Sequence, residues 1–466
     1  MSIHYSSLLH AAELIRRREV SAEQLVQATL ERIAALDPGL ASFITLTGET
    51  AIMDARRADA EIAAGFYRGP LHGVPIGLKD QIDMEGVPTI AGLAFRRSAV
   101  ADQDATVTRR LRQAGAILIG KLQMTEGGTT EHHPSFVRPQ NPWSPAHWSG
   151  ASSTGSATAL AAGLCHGALG TDAGGSIRLP ASVCGITGLK PTWGRVSRRG
   201  VLPTAESFCH VGPMARSAAD AAALLQAIAG PDPADTTTLA AAVPDYLAEL
   251  RKGIAGLVIG VDWSFATENV DADVAAAFRG AVDMLSDLGA QIRPLTLPPT
   301  DQLCLEAAVL ILAESAHAHR DTFASHPQHY GAALRRMLEA GGGIVANDLV
   351  DAALSRARFG GALNHIFGQV DALLTPTIPI APPRWEEIDE ITRDFTTSLK
   401  RVTRYTLPFN FTGHPALTVP AGIAASGVPI GVQIVGPALG EAVVLRIGHR
   451  FQQVTDHHVQ RPPVSA

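Results

Sequence analysis

Serine hydroxyls set among glycines can do acyl-transfer chemistry, and this chain gathers them in one stretch. Residues 149–180 read SGASSTGSATALAAGLCHGALGTDAGGSIRLP, with two dense Gly/Ser knots and few bulky polar side chains before Asp172 and Arg178. Glycine lets main-chain N–H groups approach a ligand closely, and serine adds a hydroxyl. In Thr171-Asp172-Ala173-Gly174-Gly175-Ser176 two glycines precede a serine, so successive backbone donors surround one hydroxyl. That order suits an oxyanion hole, in which fixed N–H groups face developing negative charge. Taken alone, a glycine-rich turn without chemistry fits it equally well. The other knot, Ala151 to Ser156, leads into the Ala-rich run Ala157 to Gly163. It predicts a helix N-terminus with hydroxyl caps, Thr154 among them.

A serine nucleophile needs a base. The GxSxG elbow is absent, because Arg178 stands two residues after Ser176, and so is an SxxK motif. Seventeen histidines are present, none in a recognisable triad context. A histidine base therefore stays open on the residues alone. Lys79 is one of five lysines in the chain. It follows the apolar, Gly- and Pro-interrupted run Leu71 to Leu78, which reads as a strand end delivering the amine into the interior. The local sequence alone also fits a surface pair of Lys79 with Asp80 or Asp83.

Four ordered segments carry a resemblance that covers most of the chain. They are Gly73-Val74-Pro75-Ile76-Gly77-Leu78-Lys79-Asp80, Gly150-Ala151-Ser152-Ser153, Thr171-Asp172-Ala173-Gly174-Gly175-Ser176-Ile177-Arg178 and Gly188-Leu189-Lys190-Pro191-Thr192. Together they resemble the signature of the amidase signature family of serine hydrolases. The resemblance implies a single large α/β domain, its central mixed, twisted sheet covered by helices on both faces. It implies Ser176 as nucleophile, Ser152 at a cis peptide as relay, and Lys79 as base. The N–H groups of Ala173, Gly174, Gly175 and Ser176 would hold the oxyanion. Met124, Thr125 and His133 are expected to line the substrate side. Ser153, Asp172 and Arg178 are expected to support the site, the last two as a pair bracing the loop. Ala151 and Thr154 depart from the family, which usually has glycine at both positions.

The implied activity is hydrolysis of carboxamide C–N bonds, extending to aryl amides, esters or carbamates. The alternative is the glutaminase component of a tRNA-dependent amidotransferase, which shares the signature. Neither cofactor nor metal is expected. The expected partner is a small-molecule amide or carbamate, with no nucleic acid and no membrane; a homodimer is left open. Such a base must work near pH 7 to 8 from an ordinary value of about 10.4, a difference of about 4 kcal/mol. Burial in apolar surroundings can supply it, provided Asp80 points away.

The elements that must position these groups follow from composition and pattern. With 46% hydrophobic and 18% charged residues, the chain reads as a well-buried globular protein. A net charge of −6 without a basic block argues against nucleic-acid binding. Cys165, Cys184, Cys209 and Cys304 show no CxxC pairing and read as reduced, buried thiols. The N-terminus lacks a signal-peptide pattern, so a cytoplasmic location is expected by default. Gly115 to Leu122 nearly fits a phosphate loop, but Leu122 lacks the metal-binding hydroxyl and the run reads as a buried strand. Adjacent His132 and His133 do not suffice for a metal site.

One domain over 1–466 is expected, in four parts: a helical layer over 1–65, the signature core over 66–230, a variable substrate-shaping region over 231–370, and the rest of the core over 371–466. The capping box Ser21-Ala22-Glu23-Gln24 opens a helix expected to stop at Asp37-Pro38. Helices are also predicted over 49–64, 106–114, 216–229 and 441–454, with residues 300–367 mostly helical. Gly194-Arg195-Val196-Ser197 reads as a hairpin-like turn.

Overall fold

Ile76 and Leu78 flank a glycine within an apolar run, the pattern of a strand covered on both faces. In the computed structural model, which describes residues 3–464, that run is an inner strand of an eleven-stranded sheet. The strands are β1 (Phe43–Leu46), β2 (Pro75–Lys79), β3 (Ile117–Leu122), β4 (Gly167–Asp172), β5 (Thr187–Lys190), β6 (His210–Ala215), β7 (Val258–Val261), β8 (Gln291–Pro294), β9 (Ala372–Pro376), β10 (Ala416–Ile423) and β11 (Pro429–Val435). Their spatial order is β1-β3-β2-β4-β6-β5-β10-β11-β9-β7-β8. β2 runs parallel to β3 and β4, and β7 parallel to β8 and β9; the other pairings are antiparallel. Every residue of β2, β3, β4, β5, β6, β9 and β11 is buried, which requires helices on both faces.

The parallel triplet β3-β2-β4 creates the site. Lys79 is the last residue of β2 and Asp172 the last of β4, so both strands deliver their polar ends to the same edge. Ligands gather at the carboxyl ends of parallel strands for the same reason in other open α/β sheets. The helix Thr154–Ala161 fills the turn before β4. It is buried along its whole length and built of small residues, which lets it lie close to the sheet. The helix Arg178–Cys184 follows the second knot.

Several expectations match closely. The capping box forms, with Ser21 Oγ accepting from Gln24 N and Gln24 Oε1 from Ser21 N. Helices span Gly48–Ala63, Thr106–Gln113, Ala218–Ile228 and Glu441–Val454. Residues 301–367 hold three α-helices, Asp301–Ser325, Ala332–Gly342 and Ala346–Phe367, and the short 3₁₀ helix Pro327–His329. All four cysteines are buried and unbonded. Among the described residues no helix is long and apolar enough to cross a membrane.

Others need correction. The first long helix runs through Pro38 to Leu40, because a proline near a helix end removes a single rung of the ladder. Asp37 instead receives the N–H groups of Ser42 and Phe43 beyond the helix. Residues 194–197 form no hairpin. Arg195 is buried there, donating to Ala241 O, Ala242 O and Tyr246 Oη, which ties the turn to a segment some fifty residues on. The Pro231-Asp232-Pro233 stretch is also tied in, through Asp232 Oδ2 to Thr106 Oγ1 and Ser197 Oγ at 2.6 and 2.7 Å.

Two packing details generate stability predictions. Gly150 has φ +84°, and a Cβ there would lie 2.2 Å from Pro180 Cα. Gly150→Ala is expected to lower stability by about 2 kcal/mol or more, read by thermal or urea unfolding. Lys121, from the rejected phosphate-loop pattern, is fully buried with its Nζ 3.1 Å from Asp80 Oδ1. Removing one member of a buried pair strands the other charge. Lys121→Met should therefore cost about 3 kcal/mol in the same assay, and adding Asp80→Asn should recover part of the loss.

Candidate active site

The Lys79 side chain is 0% exposed. Its Nζ lies 2.7 Å from Ser152 Oγ, 2.7 Å from Thr171 Oγ1 and 3.4 Å from Thr171 O. No carboxylate pairs with it among the described residues. The neighbouring Asp80 turns away to Lys121 and accepts the N–H groups of Ile90 and Ala91. A surface pair with Asp80 or Asp83 is thereby excluded. Burial away from water pushes the Lys79 amine down to about 7, against a weaker upward pull from Cys209 and Asp172.

Ser152 is buried, and the Ala151–Ser152 peptide is cis. Its carbonyl receives Thr125 N at 3.3 Å. Ser153 holds the two knots together: its N–H donates to Ser176 O at 3.1 Å, and its hydroxyl donates to Thr171 O at 3.2 Å. Ser176 itself is half-buried, as are Ala173 and Gly174, so this side of the second knot is the part a substrate can reach.

The second knot is braced by a buried cluster. Arg178 donates to both carboxylate oxygens of Asp172 at 3.0 Å, a fork-to-fork pair with neither side chain exposed. Burial alone would raise the Asp172 carboxyl. The Arg178 guanidinium, helped by Lys190 and Asn410, holds it far below the usual carboxylate range. Arg178 also donates to Thr406 O, Gln433 Oε1 and Asn410 Oδ1, and Asn410 Nδ2 donates to Asp172 Oδ1 at 2.8 Å. Asp172 in turn accepts Gly175 N at 2.7 Å and Ile177 N at 3.1 Å. The carboxylate thus shapes the turn that presents Ser176. Gly175 sits at φ +131° with Thr406 Oγ1 only 2.5 Å from where a Cβ would stand, so glycine is required there.

This geometry corrects some expected roles. Gly175 N–H is engaged by Asp172, which removes it from the four donors expected to face an oxyanion. Thr154 does not cap the helix that it begins. Its hydroxyl donates to Gln123 O at 3.4 Å, and the N-cap Ser153 makes no capping bond, because tertiary acceptors outcompete the local one. Thr125 is buried with its hydroxyl given to Thr129 O at 2.6 Å, so it supports the Ser152 segment and lines nothing. Met124 is buried in an apolar cluster with Ala91, Leu93, Tyr330, Leu334 and Leu338. His133 belongs to a partly exposed loop, where its Nδ1 accepts Ser135 N and its ring meets Phe136 edge-on. His132 faces Thr154 Oγ1 at 3.3 Å, and burial pushes it down to about 3.

Residues that the sequence did not single out complete the site. Gly128 packs beside Ser152: a Cβ there would lie 3.3 Å from Thr204 Oγ1 and 3.8 Å from both Met124 Cε and Ser152 Oγ. Gln81 links Thr171 to Thr204. Asn410, Gln433 and Thr406 hold Arg178 from more than 220 residues away. No local pattern marks these partners; only Gln81 sits close enough to a motif, two residues past Lys79, to have been suspected. Among the described residues no group of three or more His, Cys, Asp or Glu side chains could hold a metal.

Comparison with known proteins agrees with the fold. The Amidase family model matches residues 24–445. The chain is 45% identical over 457 residues to a Mycobacterium tuberculosis (strain ATCC 25618 / H37Rv) protein named "Putative amidase AmiD", covering 98% of this chain and 96% of that one. It is 40% identical over 488 residues to a glutamyl-tRNA(Gln) amidotransferase subunit of Roseiflexus sp. (strain RS-1), covering 99% and 98%. Among solved structures, 6-aminohexanoate cyclic dimer hydrolase complexed with substrate superposes with a TM-score of 0.88 at 27% identity, over 99% of both chains. The chain belongs to the amidase family, and it is a hydrolase of amide C–N bonds.

Proposed function

We propose that the chain cleaves small-molecule carboxamides through a serine acyl-enzyme, with Ser176 as nucleophile and Lys79 as base acting through Ser152. The observation that carries this reading is the 2.7 Å contact between Ser152 Oγ and a buried lysine amine that has no carboxylate partner among the described residues. An uncharged amine can accept the Ser152 proton, and Ser152 can accept that of Ser176. Ser176 Oγ then adds to the carbonyl carbon. The N–H groups of Ala173, Gly174 and Ser176 are the donors left to meet the oxyanion, since Gly175 is engaged. Collapse breaks the C–N bond, and Ser152 delivers the relayed proton to the departing amine. Water releases the acyl group by the same relay in reverse. Esters and carbamates fit the route, because they too form an acyl- or carbamoyl-serine.

The competing reading is a glutaminase that works inside a tRNA-dependent complex. The 40% identity to a component of such a complex favours it. The relay is common to both, so the substrate separates them. Purified protein without partners is expected to hydrolyse members of an anilide, aliphatic amide, ester and carbamate panel and to leave free glutamine intact. Glutamine hydrolysis with no turnover on the panel would reverse the assignment.

Ser176→Ala is expected to reduce kcat about 10⁴-fold or more, and Lys79→Met about 10³-fold. Retained turnover in Ser176→Ala would overturn the nucleophile. The pH profile follows from the sign of the Lys79 displacement. The uncharged amine is the active form, so kcat/KM should climb as pH rises through about 7 and then level off. A profile flat from pH 5 to 9 would contradict the base.

A further inference from the structure

Gln81 is buried beside the relay, and its amide has one permitted orientation. Its Nε2 lies 2.7 Å from Leu202 O and 2.9 Å from Thr204 Oγ1. A main-chain carbonyl only accepts, so the amide nitrogen must face Leu202 and the amide oxygen must face the opposite way. That oxygen lies 2.7 Å from Thr171 Oγ1. It too only accepts, so the Thr171 hydroxyl proton is committed to Gln81. At the far end Thr204 gives its own proton to Gly127 O at 3.0 Å. Every hydrogen bond from Lys79 through Thr171, Gln81 and Thr204 to Gly127 therefore runs in one direction.

This polarity reaches the amine. An uncharged lysine has two N–H bonds and one lone pair. Thr171 Oγ1, its proton turned toward Gln81, offers Lys79 lone pairs only, and so does Thr171 O. Both N–H bonds are assigned to Thr171, and the lone pair is left for Ser152 Oγ, 2.7 Å away. We infer that Gln81 and Thr171 are positioning residues that aim the lone pair of uncharged Lys79 at the Ser152 hydroxyl. The inference rests on the Lys79–Ser152–Ser176 relay proposed above. Without the Gln81 oxygen, the Thr171 proton is free to turn to Lys79. It then occupies the lone pair in competition with Ser152 and favours the uncharged amine.

The other titratable and charged groups near Lys79 keep their own partners. Asp80 faces Lys121 and Asp172 faces Arg178, while Lys190 donates to Pro191 O and His414 O. His210 faces Asp172 O and Lys190 Nζ. Cys209, the remaining neighbour, is a buried thiol that burial pushes up. None of these bonds involves Gln81, so substitution there acts on the amine through Thr171.

The test follows inactivation of the full-length protein by a fluorophosphonate from pH 5 to 9. In that reaction Ser176 Oγ bonds to phosphorus, fluoride leaves with the P–F electron pair, and the Ser176 proton passes through Ser152 to Lys79. Gln81→Leu is expected to lower the limiting inactivation rate about 10-fold or more, with the half-saturating concentration within about 2-fold. Its acid limb should move to lower pH. Thr171→Ser keeps the hydroxyl and should keep this sensitivity. In a Thr171→Val background, adding Gln81→Leu should change the rate by less than about 2-fold, because the intermediary is gone. Gln81→Met, which keeps the side-chain length, carries the test if the leucine variant does not fold.

An unchanged rate and acid limb in a folded Gln81 variant would overturn the inference, as would an equal loss in the Thr171→Val background. If the wild-type protein is not labelled at Ser176, the relay itself fails and this inference falls with it. If labelling is intact and depends on Lys79 while Gln81 is indifferent, the positioning role alone fails.

Discussion

A lysine amine enclosed in protein without a carboxylate is the constraint around which this structure is arranged. Water solvates an ammonium ion strongly, and moving Lys79 from its ordinary value to about 7 represents about 5 kcal/mol of lost solvation. The sign for stability follows from linkage. Between about 7 and the ordinary lysine value, the unfolded chain binds a proton that the folded chain does not. The Lys79 contribution therefore destabilises progressively as pH falls through that window. A site that tolerates such a cost must keep neutralising charge away. Asp80, adjacent in sequence, is held by Lys121, and Asp172, at the end of the next strand, is held by Arg178 and Asn410. Each nearby carboxylate has a cation of its own, which leaves the amine to hydroxyls.

The same bonds that neutralise Asp172 also shape the turn that carries Ser176. One carboxylate accepts from Gly175, Ile177, Arg178 and Asn410, so the turn's form depends on segments far apart in the chain. Arg178 extends the brace to Gln433 on β11 and to Thr406. The C-terminal strands thus matter to a site whose named residues lie between 79 and 178. This distribution accounts for what the sequence could and could not disclose. The motif order, the strand end at Lys79 and the Asp172–Arg178 pair are local signals and are readable. Gln81 with Thr171, or Arg178 with Asn410, are partnerships across 90 and 232 residues and have no local mark. Ser153 and Thr154 show the opposite error: their propensity to cap a helix is real, but the carbonyls of Thr171 and Gln123 claim their hydroxyls. Pro38 likewise sits inside a helix that local rules would stop one turn earlier.

Residues 301–367 pack against the loop 126–128 beside Ser152. Their helices meet the core both at this loop and at the cluster of Phe208, Leu407 and Phe411. Leu334 packs against Gly127, the N–H of Gly331 donates to the Glu126 carboxylate, and Tyr330 joins the cluster around Met124. Burial raises the Glu126 carboxyl to about 7, so this clasp is itself a polar group under desolvation. By sequence the loop reads as substrate lining. The structure buries Met124 and Thr125 and sets Gly128 beside Ser152.

The most direct measurement uses the scarcity of lysine. With five lysines in the chain, ¹⁵N,¹³C-lysine labelling gives a spectrum in which each side-chain amine can be followed against pH, and Lys79→Met identifies its own signal by loss. The account predicts that the Lys79 resonance titrates near pH 7. A Lys79 signal that remains that of an ammonium ion beyond pH 9 would contradict it.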